Sequence, residues 1–448
     1  MTYLSPDTIT AIATPSGRGG VGIVRISGKD AKKIALQITH SAFQSRVAHF
    51  ARFHDADNHL IDEGIVLFFE NPHSFTGEDV VELQSHGSPI VLDQLIKTAI
   101  HYGARLANPG EFSQRAFLNK KMDLVQAEAI ADLIAANSAQ AARSAVRSLQ
   151  GEFSKKIQTL QASLTHLRMQ IEAMIDFPEE EIDFLSDPHV HQLLQKTIDD
   201  VQQVKKEASR GVLLQNGLQV VIVGKPNAGK SSLLNYLSGR DSAIVTDIPG
   251  TTRDILRESI HIDGMPLHII DTAGLRETAD IVEQEGVRRA REQMQHADLI
   301  LWLVDASDAS LVAKEVGAQA TTPILIIKNK IDLTNELPEI ISHENNAEIK
   351  LSIKKNIGMD LLINAIKKIA GFQSEESDGF IARSRHVDAI ERAYQFLLHG
   401  QMQLTQHRAG ELLAEDLRQA QQALSEITGE FTSDDLLGKI FSSFCIGK

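Results

Sequence analysis

An eight-residue loop pattern after an apolar run constrains the fold of this chain more than any other feature. Residues 218–223 are apolar apart from Gln219, and they lead directly into GKPNAGKS at positions 224–231. This is the phosphate-binding loop pattern G-x-x-x-x-G-K-[ST], which joins a β-strand to a helix. Its glycines let backbone N–H groups point at phosphate oxygens, Lys230 adds positive charge, and the Ser231 hydroxyl ligates Mg²⁺. The pattern predicts an α/β nucleotide-binding domain.

A four-residue motif farther along indicates which nucleotide is bound. Residues 329–332 have the sequence NKID and follow the apolar run 324–327. The carboxylate of Asp332 can accept hydrogen bonds from the ring N1–H and the exocyclic amine of guanine, whereas adenine would leave it buried and unpaired. The sequence therefore predicts GTP. Residues 352–354, SIK, stand where such domains often have Ser-Ala-Lys behind the base, so Ile353 is a departure.

Two further motifs belong to segments that contact the γ-phosphate and its metal ion. Residues 271–274 have the sequence DTAG after the apolar run 267–270, and an aspartate at a strand end can hold Mg²⁺ through water. Residues 250–254 have the sequence GTTRD, where a threonine can complete the Mg²⁺ shell and order a switch loop. This order of motifs is that of a Ras-like G domain and predicts a GTPase.

The residue that positions the attacking water is less directly indicated. After DTAG, many small GTPases have a glutamine, but this chain has Leu275, which cannot hydrogen-bond. Glu283, in a charged segment, is the candidate for activating the water, directly or through a second water. From the residues alone, a solvated switch-helix glutamate is an equal alternative, and Glu277 and Glu285 compete for the role.

Patterning divides the chain into three domains. Residues 1–118 mix short β-like runs, glycine-rich turns and two helical stretches, which predicts an α+β domain. Helical texture extends over 119–216 and returns over 380–448. Between them, residues 217–379 alternate apolar strands with helical stretches, which predicts a parallel sheet. We therefore expect the α/β domain to be inserted into one discontinuous helical domain.

Within the helical flanks, apolar residues at spacings of three and four predict individual helices. Besides the helix that carries the seam at 157–174, a second helical run covers about 189–209 and a third covers about 383–427. The polar, acidic segment 373–379 is predicted to be a linker. The apolar seams consist of Ile157, Leu160, Leu164, Leu167, Ile171 and Met174 in the first flank, and Leu413, Leu417, Ala420, Leu424 and Ile427 in the second.

Composition bounds the partners and the compartment. The formal net charge is −14, from 45 basic and 59 acidic residues, so the chain as a whole has no attraction to nucleic acid or anionic membranes. Its one cysteine, Cys445, excludes an intrachain disulfide and indicates a reducing compartment. The sequence contains no secretory-signal pattern and no apolar stretch of about 18 residues, so we expect a cytoplasmic protein without a membrane span.

Five blocks outside the nucleotide motifs resemble one known family. They lie at residues 13–22, 25–28, 109–119, 123–129 and 444–448. Together with the nucleotide motifs, they resemble the MnmE (TrmE) family of bacterial tRNA-modification GTPases over nearly the whole chain.

The resemblance implies an architecture and a reaction. Members of the family have an N-terminal α+β domain resembling tetrahydrofolate-binding domains, a helical domain and an inserted Ras-like G domain, and they form homodimers through the N-terminal domains. With an FAD-containing partner, MnmG (GidA), they modify C5 of the wobble uridine of certain tRNAs with carboxymethylaminomethyl- or aminomethyl-type groups. The one-carbon unit comes from a tetrahydrofolate derivative, 5-formyl- or 5,10-methylene-tetrahydrofolate.

The resemblance also implies residue roles. Folate contacts correspond to Arg25, Glu82, Lys121 and Lys448. In the family, the G domains dimerise in the presence of K⁺, which stands in for an arginine finger by offsetting charge on the leaving group. The K⁺ residues correspond to Asn227, Thr246, Ile248 and Thr251, the Mg²⁺ ligands to Ser231 and Thr252, and the catalytic glutamate to Glu283. The expected GTP contacts are Asn227, Ala228, Gly229, Lys230, Ser231, Ser232, Thr246, Asp247, Ile248, Pro249, Gly250, Thr251, Thr252, Asp271, Thr272, Ala273, Gly274, Asn329, Lys330, Asp332, Ser352, Ile353 and Lys354.

Three questions stay open at the level of sequence. Cys445 is either a family-like site cysteine or a buried structural thiol. A ribosome-assembly or RNA-binding switch GTPase without modification chemistry is an alternative function, although such proteins usually carry a second G domain or a basic RNA-binding module, and neither is evident in residues 1–120. A nucleotide switch that only recruits partners is another alternative, and it would need no folate site.

Overall fold

The computed structural model describes residues 7–176, 188–239, 257–262, 265–271, 297–307, 322–342, 346–370, 379–407, 409–430, 434–445 and 447. The chain forms two compact units, each assembled from separate stretches. One unit contains residues 1–131, 148–201 and 389–448, and the other contains residues 132–147 and 202–388. This division into two units does not test the predicted three-domain boundaries, which stay a prediction.

The N-terminal domain is a six-stranded sheet, of strand order β3-β4-β5-β2-β1-β6, with helices packed on it. Its strands are β1 (Ile9–Ile12), β2 (Gly19–Ser27), β3 (His49–His54), β4 (Leu60–Phe69), β5 (Val80–Gly87) and β6 (Arg105–Leu106). Its helices are α1 (Ala31–Thr39), α2 (Pro89–His101) and α3 (Glu111–Leu118). The predicted α+β texture is confirmed.

Alternation along β2 and β5 gives this sheet two chemically different faces. Val24 and Ile26 on β2, and Leu83 on β5, are fully buried in the core that contains the apolar faces of α1 and α2. Because successive side chains in a strand point to opposite faces, Arg25 and Glu82 belong to the other face. These two residues are cross-strand partners in the antiparallel pairing of β2 with β5.

Four helices follow the N-terminal domain: α4 (Leu124–Ala135), α5 (Ala139–Leu149), α6 (Glu152–Asp176) and α7 (Pro188–Asn216). The seam predicted on α6 is confirmed from Ile157 to Ile171, whose five members are at most 3% exposed, and Met174 is half-buried. The run predicted at 189–209 is also helical and extends farther, to Asn216.

The α/β domain contains a seven-stranded sheet of order β12-β13-β11-β10-β7-β9-β8. Its strands are β7 (Leu218–Gly224), β8 (Arg257–Ile262), β9 (Met265–Asp271), β10 (Leu299–Asp305), β11 (Ile324–Asn329), β12 (Glu339–Ser342) and β13 (Asn346–Lys350). Its described helices are α8 (Lys230–Ser238), α9 (Ile331–Thr334) and α10 (Met359–Ile369).

The prediction of a parallel sheet is confirmed for the five central strands and is wrong for the two edges. Strands β13, β11, β10, β7 and β9 pair in parallel, whereas β8 pairs antiparallel with β9 and β12 pairs antiparallel with β13. Only residues 263–264 and 343–345 join these two pairs. Such short connections suit hairpins, because a parallel pair needs a crossover of a dozen or more residues.

After the α/β domain the chain forms α11 (Ser384–Met402), a π-helical stretch (Gln403–His407), α12 (Gly410–Thr428) and α13 (Asp434–Ser442). The helical run predicted over 383–427 is confirmed, and it is divided in two because α-helical geometry ends at Met402 and resumes at Gly410. A π-helical stretch interrupts the regular hydrogen-bond ladder, and glycine is a poor helix former. The predicted linker at 373–379 lies outside the described residues except for Gly379.

The second predicted seam packs α12 against α6. All five of its residues, from Leu413 to Ile427, are buried. The side-chain amide of Gln161 on α6 donates to the Ser425 hydroxyl at 2.9 Å, and Arg168 donates to the Gln421 amide oxygen at 2.7 Å. Two helices far apart in sequence thus form one packed pair.

A buried arginine joins three segments of the N-terminal domain. Arg115 on α3 is 1% exposed, and its guanidinium pairs with Asp7, Glu78 and Glu111 at 2.8–3.1 Å. Arg105 pairs with Asp7 and Glu111 at 2.7 Å each. Burial alone would raise the pKa of Glu111, yet hydrogen bonds from Arg105, the Asn108 N–H and Arg115 hold that pKa below its ordinary value.

We expect Arg115→Met to destabilise this region, because the substitution removes the arginine that pairs with Glu78 and one of the two arginines that pair with Glu111. Breaking a buried pair costs about 3–5 kcal/mol, so hydrogen–deuterium exchange over residues 105–118 of the intact chain should accelerate. Because the pKa of Glu111 in the folded protein is lowered, ionised Glu111 increases the free energy of unfolding at pH values above its ordinary pKa. This contribution is lost as the pH falls through the lowered pKa. The penalty should therefore shrink in acid. Arg52→Met, at an exposed pair, is the control, and equal protection in both variants would contradict the assignment.

Candidate functional site

The predicted nucleotide motifs converge at one edge of the seven-stranded sheet. Strand β7 ends at Gly224, β9 at Asp271, β10 at Asp305 and β11 at Asn329. These strands are parallel, so their carboxyl ends lie at the same edge. In open α/β sheets, ligands bind outside that edge.

The phosphate loop connects β7 to the first turn of α8. Gly229 precedes the helix in the left-handed conformation, with φ of 108°, and Asn227 also has a positive φ of 64°. The Lys230 ammonium donates to the carbonyl oxygens of Gly224 at 2.5 Å and Lys225 at 3.0 Å. The cation therefore lies in the curve of the loop, at the positive end of the helix, and this arrangement favours a phosphate group.

Ser231 and Ser232 follow Lys230 in the first turn of α8, and both are exposed. Their hydroxyl groups are therefore accessible from outside the protein at the same helix end as the lysine. A hydroxyl oxygen is a hard ligand of the kind that Mg²⁺ prefers. The donor type at Ser231 fits the predicted metal ligand.

One buried side chain joins the phosphate loop to the base-side loop. Asn329 is 4% exposed, and its Nδ2 donates to the carbonyl oxygen of Ala228 at 2.8 Å. Its Oδ1 accepts a hydrogen bond from the N–H of Ile353 at 3.1 Å. Asn329 thus fixes the spacing between the phosphate-binding backbone and the segment behind the base.

The carboxylate of Asp332 is oriented by a buried serine. The Ser352 hydroxyl is fully buried and donates to Asp332 Oδ1 at 2.5 Å. The backbone of Ser352 is itself held by reciprocal hydrogen bonds with Ile357. Because Oδ2 of Asp332 has no hydrogen bond to a described residue, it remains available as an acceptor for a base.

The sequence reasoning missed Asp305. This residue ends β10, and its carboxylate pairs with the Lys330 ammonium at 2.6 Å. Hydrogen bonds from Lys330 and from the Ser307 hydroxyl lower the pKa of Asp305 to about 2. The aspartate therefore keeps its charge near neutral pH and holds the lysine of the NKID motif. Asp305 could have been identified as a candidate site residue from its position directly after the apolar run 299–304.

The remaining predicted nucleotide-site residues lie mostly outside the described residues. Asp271 is the last residue of β9, and Lys354 is exposed. Glu283 and its competitors Glu277 and Glu285 lie outside the described residues. So do the predicted nucleotide and metal contacts Thr246, Asp247, Ile248, Pro249, Gly250, Thr251, Thr252, Thr272, Ala273 and Gly274.

A second cluster lies on the N-terminal sheet, around two residues of the predicted folate site. Arg25 donates from Nε and Nη2 to Glu82 Oε1 at 3.0 and 2.8 Å. Its guanidinium carbon lies 5.7 Å from the ring centroids of both Phe75 and Phe112. The pair is half-buried, with side chains 21% and 15% exposed. The cluster thus offers a cation, a carboxylate and the partly exposed ring of Phe75, whereas Phe112 is fully buried.

The C-terminal residues reach this cluster. Arg25 Nη1 donates to the carbonyl oxygen of Gly447 at 3.4 Å. Gly447 is in the left-handed region with φ of 92°, and a Cβ there would lie 2.1 Å from the carbonyl oxygen of Ile12. Only glycine fits so close to another backbone in that conformation. The chain end is therefore held against β1.

The other predicted residues of this cluster have different outcomes. The Lys121 ammonium donates to the carbonyl oxygen of Pro72 at 2.9 Å, on the segment that also carries Phe75. Lys448 lies outside the described residues. Cys445 is a free, exposed cysteine, so the alternative of a buried structural thiol is wrong.

The arrangement at the sheet edge defines a class of protein. A parallel sheet that carries a phosphate loop, an N-K-x-D motif and a serine behind the base at one edge is a Ras-like G domain, and the chain is a GTPase. No described helix combines the length and apolar character needed to cross a membrane.

Comparisons with known proteins identify the family. Residues 8–121 match the family described as "GTP-binding protein TrmE N-terminus", and residues 124–445 match "MnmE helical domain". The tRNA modification GTPase MnmE of Coxiella burnetii (strain Dugway 5J108-111) is 58% identical, over 100% of both chains. That of Legionella pneumophila (strain Philadelphia 1) is 57% identical over 99% of this chain and 100% of the relative. The chain belongs to the family of the tRNA modification GTPase MnmE.

Solved structures resemble the chain over a smaller part of its length. Era from Aquifex aeolicus is 23% identical and covers 40% of this chain and 66% of its own, with a TM-score of 0.26.

We expect Gly229→Ala to abolish GTP binding. A Cβ at this position would lie 2.3 Å from Asn329 Nδ2, and the φ of 108° is strained for any residue with a side chain. Titration with a fluorescent GTP analogue measures the effect. Gly239→Ala, at the other end of α8, is the matched control, because its φ is −82° and its nearest neighbour would lie at 3.2 Å. Similar affinities for both variants would contradict this account of the loop.

We expect Asp332→Asn to weaken GTP binding and to improve binding of xanthosine triphosphate. An asparagine can donate to the exocyclic oxygen of xanthine, whereas the carboxylate accepts from the exocyclic amine of guanine. Loss of one such discriminating contact should change the ratio of the affinities for the two nucleotides by on the order of 10²-fold or more. Competition between the two nucleotides measures it, with Asp360→Asn on the exposed start of α10 as the control. Unchanged GTP preference would remove Asp332 as the residue that selects guanine.

Proposed function

We propose that the chain is the GTP-hydrolysing component of a complex that modifies C5 of the wobble uridine of certain tRNAs, in a carboxymethylaminomethyl- or aminomethyl-type reaction. The observation that carries the proposal is the full-length likeness, at 58% identity, to a relative named tRNA modification GTPase MnmE. The geometry of the G domain supports the hydrolytic part, because the phosphate loop and the base-side loop are joined through Asn329.

The hydrolytic site would combine described and undescribed residues. Lys230 and the backbone of the phosphate loop would bind the phosphates, and Asp332 would select guanine. Ser231 and Thr252 would hold Mg²⁺, which supplies positive charge against the phosphates when bound. Glu283 would orient or activate the attacking water. Of these, the placements of Lys230, Ser231 and Asp332 support the proposal.

K⁺ would complete the site when two G domains dimerise. Asn227 would hold it with Thr246, Ile248 and Thr251, and the ion would supply charge near the leaving group. Asn227 is exposed on the phosphate loop with a positive φ of 64°. A side-chain carbonyl oxygen there fits a hard monovalent cation, so the described part of the site is compatible with this role.

The cluster around Arg25 would bind the tetrahydrofolate derivative. A pterin ring carries both hydrogen-bond donors and acceptors, which suits the Glu82 carboxylate and the guanidinium N–H groups of Arg25 that remain unused. Phe75 adds a partly exposed aromatic ring at 5.7 Å from the guanidinium. Lys121 and Lys448 would supply further positive charge for the folate carboxylates, and exposed Cys445 would lie near the same chain end.

The family likeness supports two further partners. A second copy of the chain would pair through the N-terminal domain, and an FAD-containing partner, MnmG (GidA), would complete the modifying complex. The complex would act on tRNA in the cytoplasm.

Mass spectrometry of tRNA nucleosides tests the proposal. In cells lacking this protein, the C5-substituted wobble uridine should disappear, and the wild-type gene should restore it. Glu283→Ala should bind GTP but fail to hydrolyse it, and it should not restore the nucleoside if hydrolysis drives modification. Glu277→Ala and Glu285→Ala are the matched controls. An unchanged nucleoside profile in the deletion strain would refute the modification role and favour a ribosome-assembly or switch GTPase.

A further inference from the structure

The end of strand β10 lies between the two parts of the predicted nucleotide site. In the sheet, β10 is flanked by β7, which leads into the phosphate loop, and by β11, which leads into the NKID motif. Neighbouring strands are about 4.8 Å apart, so the two motifs begin about 10 Å apart. A bound nucleotide joins a base at Asp332 to phosphates at the loop, and its nucleoside must therefore lie over the end of β10.

An ion pair occupies this position. Asp305, the last residue of β10, accepts a hydrogen bond from the Lys330 ammonium at 2.6 Å through Oδ2. Because the backbone of Lys330 lies at the end of β11, its side chain runs along the carboxyl edge of the sheet from β11 to β10. The two side chains are 27% and 32% exposed. The lysine stem thus presents an accessible apolar surface between the base contact and the phosphate loop.

The turn after β10 fixes the carboxylate of Asp305 independently of the lysine. Its Oδ1 accepts hydrogen bonds from the Ser307 N–H at 3.0 Å and from the Ser307 hydroxyl at 2.7 Å. The N–H of Ala306, between them, donates to the carbonyl oxygen of Asn329 at 2.8 Å. One carboxylate oxygen is therefore bound by its own turn, and the other holds Lys330.

The backbone of Lys330 is strained, with φ of 71° in the left-handed region. Residues other than glycine seldom adopt this conformation. It persists here because the flanking residues, Asn329 and Ile331, are buried and so fixed in place. Such strained positions cluster at ligand-binding sites. The backbone and the ion pair together direct this side chain toward the end of β10.

We propose that Asp305 is a positioning residue for guanine-nucleotide binding and acts through Lys330. The carboxylate holds the ammonium at the end of β10 and so keeps the lysine stem extended beneath the nucleoside. Without it, the flexible side chain is free to move into solvent, and nucleotide binding has to order it. The inference rests on the proposed base contact of Asp332. It assigns the effect of Asp305 to the nucleoside rather than to the phosphates.

The first test is the affinity of the full-length chain for GTP and for GDP. Asp305→Asn keeps an acceptor for Ser307 but loses the carboxylate oxygen that binds Lys330. It should weaken both nucleotides by the same factor, about three- to tenfold, because they share the nucleoside. For the same reason, KM for GTP should rise while kcat is unchanged. Glu348→Gln removes a pair of similar exposure on the same sheet, that of Glu348 with Lys328, and it should change none of these quantities.

A double variant separates a positioning role from a structural one. Lys330→Met removes the ammonium, so Asp305 has nothing to hold, and binding should weaken at least as much as in Asp305→Asn. Adding Asp305→Asn to Lys330→Met should then cause no further loss of affinity. Thermal unfolding verifies the folding of each variant, and Lys330→Met tests the proposal if Asp305→Asn does not fold. Wild-type affinity in either folded single variant, or a full further loss in the double variant, would overturn the proposal.

Nucleotide preference distinguishes this role from the proposed base contact. Asp332→Asn should change the preference between GTP and xanthosine triphosphate, whereas Asp305→Asn should weaken both nucleotides equally. If Asp305→Asn alters that preference, Asp305 reads the base itself and the positioning role is wrong. An unaltered preference in Asp332→Asn would remove Asp332 as the base contact, while an equal loss for both nucleotides in Asp305→Asn would still support the role of Asp305.

Discussion

The amide of Asn329 is the interaction on which the nucleotide site depends. It is buried, it donates to the phosphate loop at Ala228, and it accepts from the base-side loop at Ile353. The ribose limits the distance between the base and the phosphates of a nucleotide, so two loops held at a matching distance before binding favour its capture. A buried side-chain amide does this with one donor and one acceptor, and it leaves neither backbone group unpaired.

Around this link the site is built from strand ends and short loops. The Lys330–Asp305 pair holds the lysine of the NKID motif, and Ser352 orients Asp332. The second site, on the N-terminal domain, lies on a sheet face rather than at strand ends. Side chains along β2 and β5 alternate between the buried core and the face that carries the Arg25–Glu82 pair. There, buried Arg115 joins α3 to Asp7 and Glu78, and the close approach of Gly447 to Ile12 holds the chain end at the site.

Much of the fold could be predicted from local patterns. The phosphate loop requires a strand before it and a helix after it, and the apolar seams specify α6 and α12, so these elements followed from sequence. The antiparallel edges and the break between α11 and α12 did not, because they depend on connection length and on a π-helical stretch that residue spacing does not reveal. Similarly, the NKID motif predicts guanine binding. The hydrogen bond from Asn329 to Ala228 could not be predicted, because it joins residues far apart in the chain. Asp305 had no motif around it, and only the parallel pairing of β10 with β11 places it beside Lys330.

The most direct test of the role of Asn329 is to measure how Asn329→Leu changes both hydrogen exchange in the nucleotide-free chain and GTP affinity. Leaving the Ala228 carbonyl and the Ile353 N–H unpaired costs about 1–3 kcal/mol each. We therefore predict faster hydrogen exchange in both loops before nucleotide is added, with GTP affinity reduced by about tenfold or more. Asn235→Leu, on the exposed face of α8, should change neither quantity. Normal exchange in both loops of Asn329→Leu, even with weakened GTP binding, would contradict the claim that this amide preorganises the site.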